Sequence, residues 1–179
     1  MSKWNYLGPI IGALVATGAV ANPAASQPAL TISDSSNQIV GELTKEQLST
    51  KFKNKTITTQ TPWSNGDLLT YRGPKVIDVL KDVGLENAAA IEGYAANGFS
   101  AKLNMADVKN YSPILATEIE CTADLIAKDK CTQGEFVALS VKEYGPIFVV
   151  WPFDQLPDAV DPRDHSKWIW FVTGIRSVE

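Results

Sequence analysis

Few side chains in this sequence can do chemistry, and they are scattered. Cysteine occurs at Cys121 and Cys131, and the single histidine is His165. Two thiols are too few for a four-ligand zinc site or a disulfide-dense scaffold. No CxxC, HExxH, GxSxG, GxGxxG or P-loop motif occurs. His165 lies in the densest polar cluster, Asp161-Pro162-Arg163-Asp164-His165-Ser166-Lys167-Trp168. A lone imidazole offers proton shuttling, but no serine or cysteine partner is identifiable for it. Arg72, before Gly73, offers a planar fork for a carboxylate, sulfate or phosphate; its plainer reading is a surface cation paired with Asp67. Trp63 follows Pro62 in a loop of turn formers and reads either as a loop anchor or as a pocket wall. Asp154 and Asp158 could pair, but nothing in the sequence positions them for acid–base work. Trp151, Trp168 and Trp170 read as core aromatics.

The chain that must position these groups has 179 residues, a length that suits one domain. It is 45% hydrophobic and 20% charged, which excludes a disordered tail, a collagen-like rod and a multispanning membrane protein. The net charge of −4 comes without a basic stripe, so no nucleic-acid partner is expected.

Lys3, the apolar run Leu7 to Val20 and Ala19-Val20-Ala21 together form a secretory signal with an A-x-A cleavage site. The run is shorter than the ~20 residues a membrane span needs, so none is expected after signal removal. The expected organisation is a signal peptide over 1–21, a flexible start over 22–29 and one domain over 30–179, in a periplasmic or secreted protein. An oxidising compartment favours a Cys121–Cys131 disulfide that pins a short insert.

Leu30-Thr31-Ile32 predicts a first strand. Thr44 and Gln47 have capping-box spacing, with Leu43 as the staple, ahead of a helix over 45–52. Thr56 to Thr61 alternates as a strand and runs into the loop Pro62 to Asp67. Pro74 at a first helical position and Gly84 past the end bracket a helix whose apolar face is Ile77, Leu80 and Val83. Asn97-Gly98 predicts a two-residue hairpin turn between Ala90–Ala96 and Phe99–Leu103. Asn104 caps a helix over 105–109. Further strands are expected at 114–121, 136–141, 147–151 and, as one long strand, 168–178. Asn54-Lys55-Thr56 and Asn110-Tyr111-Ser112 are sequon-shaped.

The order Thr61-Pro62-Trp63, Gly66, Tyr71-Arg72-Gly73-Pro74, Val79-Leu80 and Val83-Gly84-Leu85 resembles small secreted members of the sulfite-oxidase-type molybdopterin-binding domain family. The hairpin Gly93 to Leu103, Pro113-Ile114-Leu115-Ala116, Gly145-Pro146-Ile147, Pro152 and Trp168-Ile169-Trp170 extend that resemblance over 30–178. It implies an α+β, β-rich fold with short helices and a pocket between loops. Metal-binding members resemble one another in supplying a cysteine thiolate from the loop where this chain has Thr61, Pro62, Trp63 and Ser64. A soft metal favours such a thiolate.

The expectation is therefore an exported, non-catalytic module that binds a small anionic ligand or another exported protein. The alternative is a molybdopterin-dependent oxidoreductase. No cofactor is expected on the first reading and molybdopterin on the second. A ligand site is expected between the loops 61–73 and 152–168, with Trp63, Arg72, Arg163 and His165 as candidates.

Overall fold

The computed structural model describes residues 27–157 and 165–179. The expected signal peptide, residues 22–26, Asp158 and the candidate Arg163 lie outside the described residues. The strands are β1 (Leu30–Ser33), β2 (Ile39–Leu43), β3 (Asn54–Thr59), β4 (Leu69–Pro74), β5 (Ala90–Ala95), β6 (Ser100–Asn104), β7 (Ile114–Ala116), β8 (Glu118–Glu120), β9 (Phe136–Ala138), β10 (Phe148–Val150) and β11 (Val172–Val178). Four short helices interrupt them: α1 (Lys45–Thr50), α2 (Val76–Asp82), α3 (Met105–Tyr111) and α4 (Ala123–Ala127). The architecture is α+β and β-rich. A five-stranded sheet runs β2-β1-β11-β5-β6, a four-stranded sheet runs β3-β4-β8-β9, and β7 pairs with β10. No helix of the described residues is long and apolar enough to cross a membrane.

Local chemistry sets most boundaries. Thr44 and Gln47 form the reciprocal capping box, so α1 starts where its first free N–H groups find acceptors. Asn104 caps α3 through the Ala106 N–H at 2.8 Å. Gly84 follows α2 with φ +76°, the left-handed conformation that ends helices. Pro74, however, closes β4 opposite Asn54 instead of opening α2, whose N-cap is Lys75. A proline at a strand end sacrifices little of the ladder. The fully buried face of α2 is Val76, Val79 and Leu80, with Ile77 and Val83 packed at its margin.

Two expected strands are each divided by a change of partner. In 114–121 the break falls at Thr117, whose N–H donates to the Arg72 carbonyl and whose carbonyl accepts from the Leu139 N–H. Residues before it join β10 and residues after it join β4 and β9. In 168–178 the break falls at Phe171, which has φ +54°. Ile169 bridges to Val149, whereas β11 pairs with β1 and β5. An aromatic residue in the left-handed region is strained and persists only where surrounding bonds hold it. Phe171 donates to the Tyr144 carbonyl and accepts from Ala96 N–H, both at 2.9 Å.

The core joins the three sheets through Leu30, Ile32, Tyr71, Leu80, Ile91, Ile114, Phe148 and Trp151. Each buried aliphatic or aromatic side chain contributes about 1.5–3 kcal/mol. β10 is buried on both faces, as its unbroken apolar run requires. Cys121 and Cys131 are joined as a disulfide with Cα atoms 6.0 Å apart, clasping α4 between β8 and β9.

Candidate functional site

Three separate segments converge on one aromatic cleft of about 240 Å³, lined by Trp63, Asn97, Phe99, His165, Trp168 and Trp170. Trp63 is held by consecutive tight turns after β3. Ser64 N–H donates to the Thr61 carbonyl at 3.1 Å and Asp67 N–H to the Ser64 carbonyl at 2.9 Å. Ser64 Oγ also accepts from Thr61 N–H at 3.1 Å, which leaves the indole 36% exposed above the turn.

Asn97 and Phe99 come from the β5–β6 hairpin. Its loop has three residues, not two: Gly98 N–H donates to the Ala95 carbonyl and Ala95 N–H to the Phe99 carbonyl. Gly98 alone takes positive φ, +85°, so the turn carries a left-handed glycine bulge and not a mirror-image two-residue turn. Asn97 Oδ1 accepts from Phe99 N–H at 3.1 Å, fixing the side chain at the rim.

His165 opens the 3-10 turn 165–167, and Trp168 and Trp170 precede the kink at Phe171. Lys167 is committed elsewhere: its ammonium pairs with Asp107 at 2.8 Å, and its carbonyl accepts from Trp151 Nε1 at 2.7 Å. These bonds anchor the turn that carries His165.

Beneath the cleft stands Phe148 of β10. Its ring centroid lies 6.4 Å from Trp63, 5.6 Å from Trp170, 6.0 Å from Trp168 and 5.6 Å from Tyr71. Trp63 packs on Trp170 at 4.0 Å and meets His165 edge-on at 4.6 Å. Such offset and edge geometries add about 0.5–1.5 kcal/mol per pair beyond burial. Trp170 Nε1 is buried without an acceptor, and the Tyr71 hydroxyl lies beside Thr61 without a well-formed hydrogen bond. Burial pushes the Tyr71 phenol well above its usual range, with Tyr144 adding to the shift and Thr61 opposing it.

Of the sequence candidates, the fold brings together Trp63 and His165 and leaves Arg72 outside. Strand alternation explains this, because Tyr71 points into the core and Arg72 to the other face of β4. Arg72 Nε donates to Glu118 Oε2 at 2.7 Å, and its guanidinium stacks 4.1 Å from the Phe136 ring centroid. Its partner is the cross-strand residue Glu118, not Asp67. Asp154 sits in a short 3-10 turn after β10. Trp151 and Trp168 are buried, while Trp170 is half-buried and walls the cleft. Asn97 and Phe99 were legible only as turn and strand. The exposure of Phe99 beside the turn, which marks the pair, is visible only in the structure.

The loop Thr61 to Ser64, which has no thiol, offers hydroxyls only. Thr61 Oγ1 accepts from Trp63 N–H at 3.4 Å, and Ser64 Oγ is spent on Thr61. Both cysteine sulfurs are consumed in the disulfide. This donor set does not fit a soft metal such as molybdenum. No protein-family model matches the sequence, and no curated protein matches it significantly.

Proposed function

We propose that this chain is an exported binding module on a sulfite-oxidase-type molybdopterin-binding fold, and that its aromatic cleft holds a small, flat, anionic ligand. The observation that carries the reading is the cleft's combination of aromatic walls with the polar side chains of Asn97 and His165 at its lining. Asn97 Oδ1 accepts from the Phe99 N–H, which leaves the amide N–H groups of Asn97 to donate, so the complementary ligand brings an acceptor such as a carboxylate or ring carbonyl. The volume decides the size. At about 240 Å³ the cleft is smaller than the ~300–1,000 Å³ of drug-sized sites, which suits one or two fused rings. The strained Phe171 lies beside Trp170, and such outliers cluster at ligand sites. The disulfide supports export, since such bonds persist in oxidising compartments.

Family enzymes rely on a thiolate that this loop lacks, which favours binding over molybdopterin-dependent oxidation. The test is tryptophan emission during titration with pterin-6-carboxylate and with nicotinate. Saturable quenching that is lost in Trp63→Ala supports the module. Failure of both probes to quench, or quenching unchanged by Trp63→Ala, overturns it. About one molybdenum per chain in natively purified protein, with sulfite or sulfoxide turnover tracking it, would promote the oxidoreductase instead.

A further inference from the structure

A second concave site lies at the other end of β3. Lys51-Phe52-Lys53-Asn54-Lys55 is the only five-residue stretch of the sequence with three cations, in a chain of net charge −4. The β3–β4 ladder ends with Asn54 opposite Pro74, which brings Lys53, just before β3, and Lys75, just after β4, to the same end of the sheet. Like charges gathered at one place repel each other. Lys53, Lys55 and Lys75, with Asn54 and Asp78, line a pocket of about 340 Å³.

Two observations separate this cluster from a solvated surface. Lys55 is half-buried, and its ammonium donates to the Ser112 carbonyl at 3.1 Å, so the charge is held in place. Burial, and next the charge of Lys75, hold that ammonium below its ordinary range. Among the described residues, Lys51, Arg72, Lys128, Lys167 and Arg176 each pair with a carboxylate. Lys53, Lys55 and Lys75 do not, as is also true of Lys81, Lys102 and Lys109, but the first three share one pocket, and Asp78 lies in it without an ion pair to any of them. Three cations thus share a concave site with one carboxylate, Asp78, which pairs with none of them and leaves positive charge in excess.

We propose that this pocket binds a soluble tetrahedral oxyanion, the phosphate or sulfate group of a small ligand, between Lys53, Lys55 and Lys75. Lysine is a point-charge binder of such groups, and three ammonium donors can each take one oxygen. The patch is a single pocket and not a stripe, which suits one anionic group better than a polymer backbone. No residue is shared with the aromatic cleft, so either site can fail alone.

The test is amide-resolved NMR of the intact protein during titration with inorganic phosphate and, separately, inorganic sulfate at matched ionic strength. We expect saturable shifts at Lys53, Asn54, Lys55, Lys75 and Asp78, and about tenfold weaker binding in Lys75→Gln. Lys130→Gln removes the same charge elsewhere and is expected to bind as the parent does. Unchanged melting of Lys75→Gln without anion establishes that the fold survives, and phosphate then raises the parent's melting temperature more than the variant's. Saturation by phosphate alone, by sulfate alone or by both supports the site and names its class. No saturable shift at these amides with either anion, or equal affinity in Lys75→Gln, overturns it.

Discussion

Trp63 and His165 meet edge to face, with ring centroids 4.6 Å apart and planes 88° apart. One sits on a tight turn after β3 and the other on a 3-10 turn before β11. Neither turn touches the other through regular secondary structure, so the shared aromatic floor at Phe148 and Trp170 sets their distance. The cleft is therefore a property of core packing and follows the core when it is altered.

Arg72 tests this division of labour. Arg72→Gln removes an ion pair whose side chains are 35% and 25% exposed, together with the stack on Phe136. Solvent screening limits the cost to about 0.5–1.5 kcal/mol in urea denaturation. Quenching of the cleft tryptophans by pterin-6-carboxylate should be unaffected. A marked loss of that quenching would place Arg72 in the site after all.

Two glycines report on different constraints. Gly98 has φ +85°, with open space where a side chain would project, so Gly98→Val costs backbone strain alone, about 1–2 kcal/mol. Gly73 has an ordinary backbone, but a Cβ there would collide with the backbone of Leu115 and Ala116. Gly73→Ala should therefore cost about 3 kcal/mol or more, because strand β7 must move. Equal melting temperatures for the two variants would contradict this ordering.

Alkaline stability should depend on Tyr71. Its phenol titrates higher in the folded protein than the unperturbed value of 10.0. The neutral form is thus favoured by folding, and its contribution is complete below about pH 10 and lost as pH rises beyond it. Urea midpoints should fall between about pH 9.5 and 11.5. Tyr71→Phe should flatten that fall while changing stability little at neutral pH, since the buried hydroxyl has no well-formed hydrogen bond to lose. Some slope remains from Tyr144, which burial also raises. An unaltered pH dependence in Tyr71→Phe would refute the assignment.

The disulfide predicts no titratable thiol in denatured protein until reductant is added. Reduction should lower stability by about 2–3 kcal/mol, the loop-closure value for a short loop. Hydrogen exchange should rise first in α4 and β9, where no α4 residue is fully buried. Two free thiols in freshly purified exported protein would contradict the pairing.

Caps, turns and the cysteine pair were legible because each depends on neighbours within a few residues. Thr44 with Gln47, Asn104 with Ala106 and Gly98 in its turn carry their reasons locally. Strand partners were not. Residues 114–121 read as one strand, and the division at Thr117 arises because β10 pairs with its first half and β4 with its second. β4 itself was hidden behind Pro74, whose helix-starting signal outweighed the weak alternation of Leu69 to Gly73. The same limit applied to the cleft. Trp63 and His165 could be singled out by type, whereas Asn97, Phe99 and the exclusion of Arg72 depend on register and on which face of a strand a side chain takes.

β11 occupies the middle of the five-stranded sheet, parallel to β1 on one side and antiparallel to β5 on the other. The strands it joins are made early in synthesis, and neither is hydrogen-bonded to the other without it. While residues 172–178 remain inside the ribosome, the β1–β2 and β5–β6 hairpins exist only as separate ribbons, and two-stranded ribbons are marginally stable in water. The sheet thus closes as a late, long-range event, which makes for slow folding and leaves the edges of β1 and β5 open until then. A chain with this strand order completes its five-stranded sheet only after β11 has emerged, whereas the sheet of β3, β4, β8 and β9 can form before it.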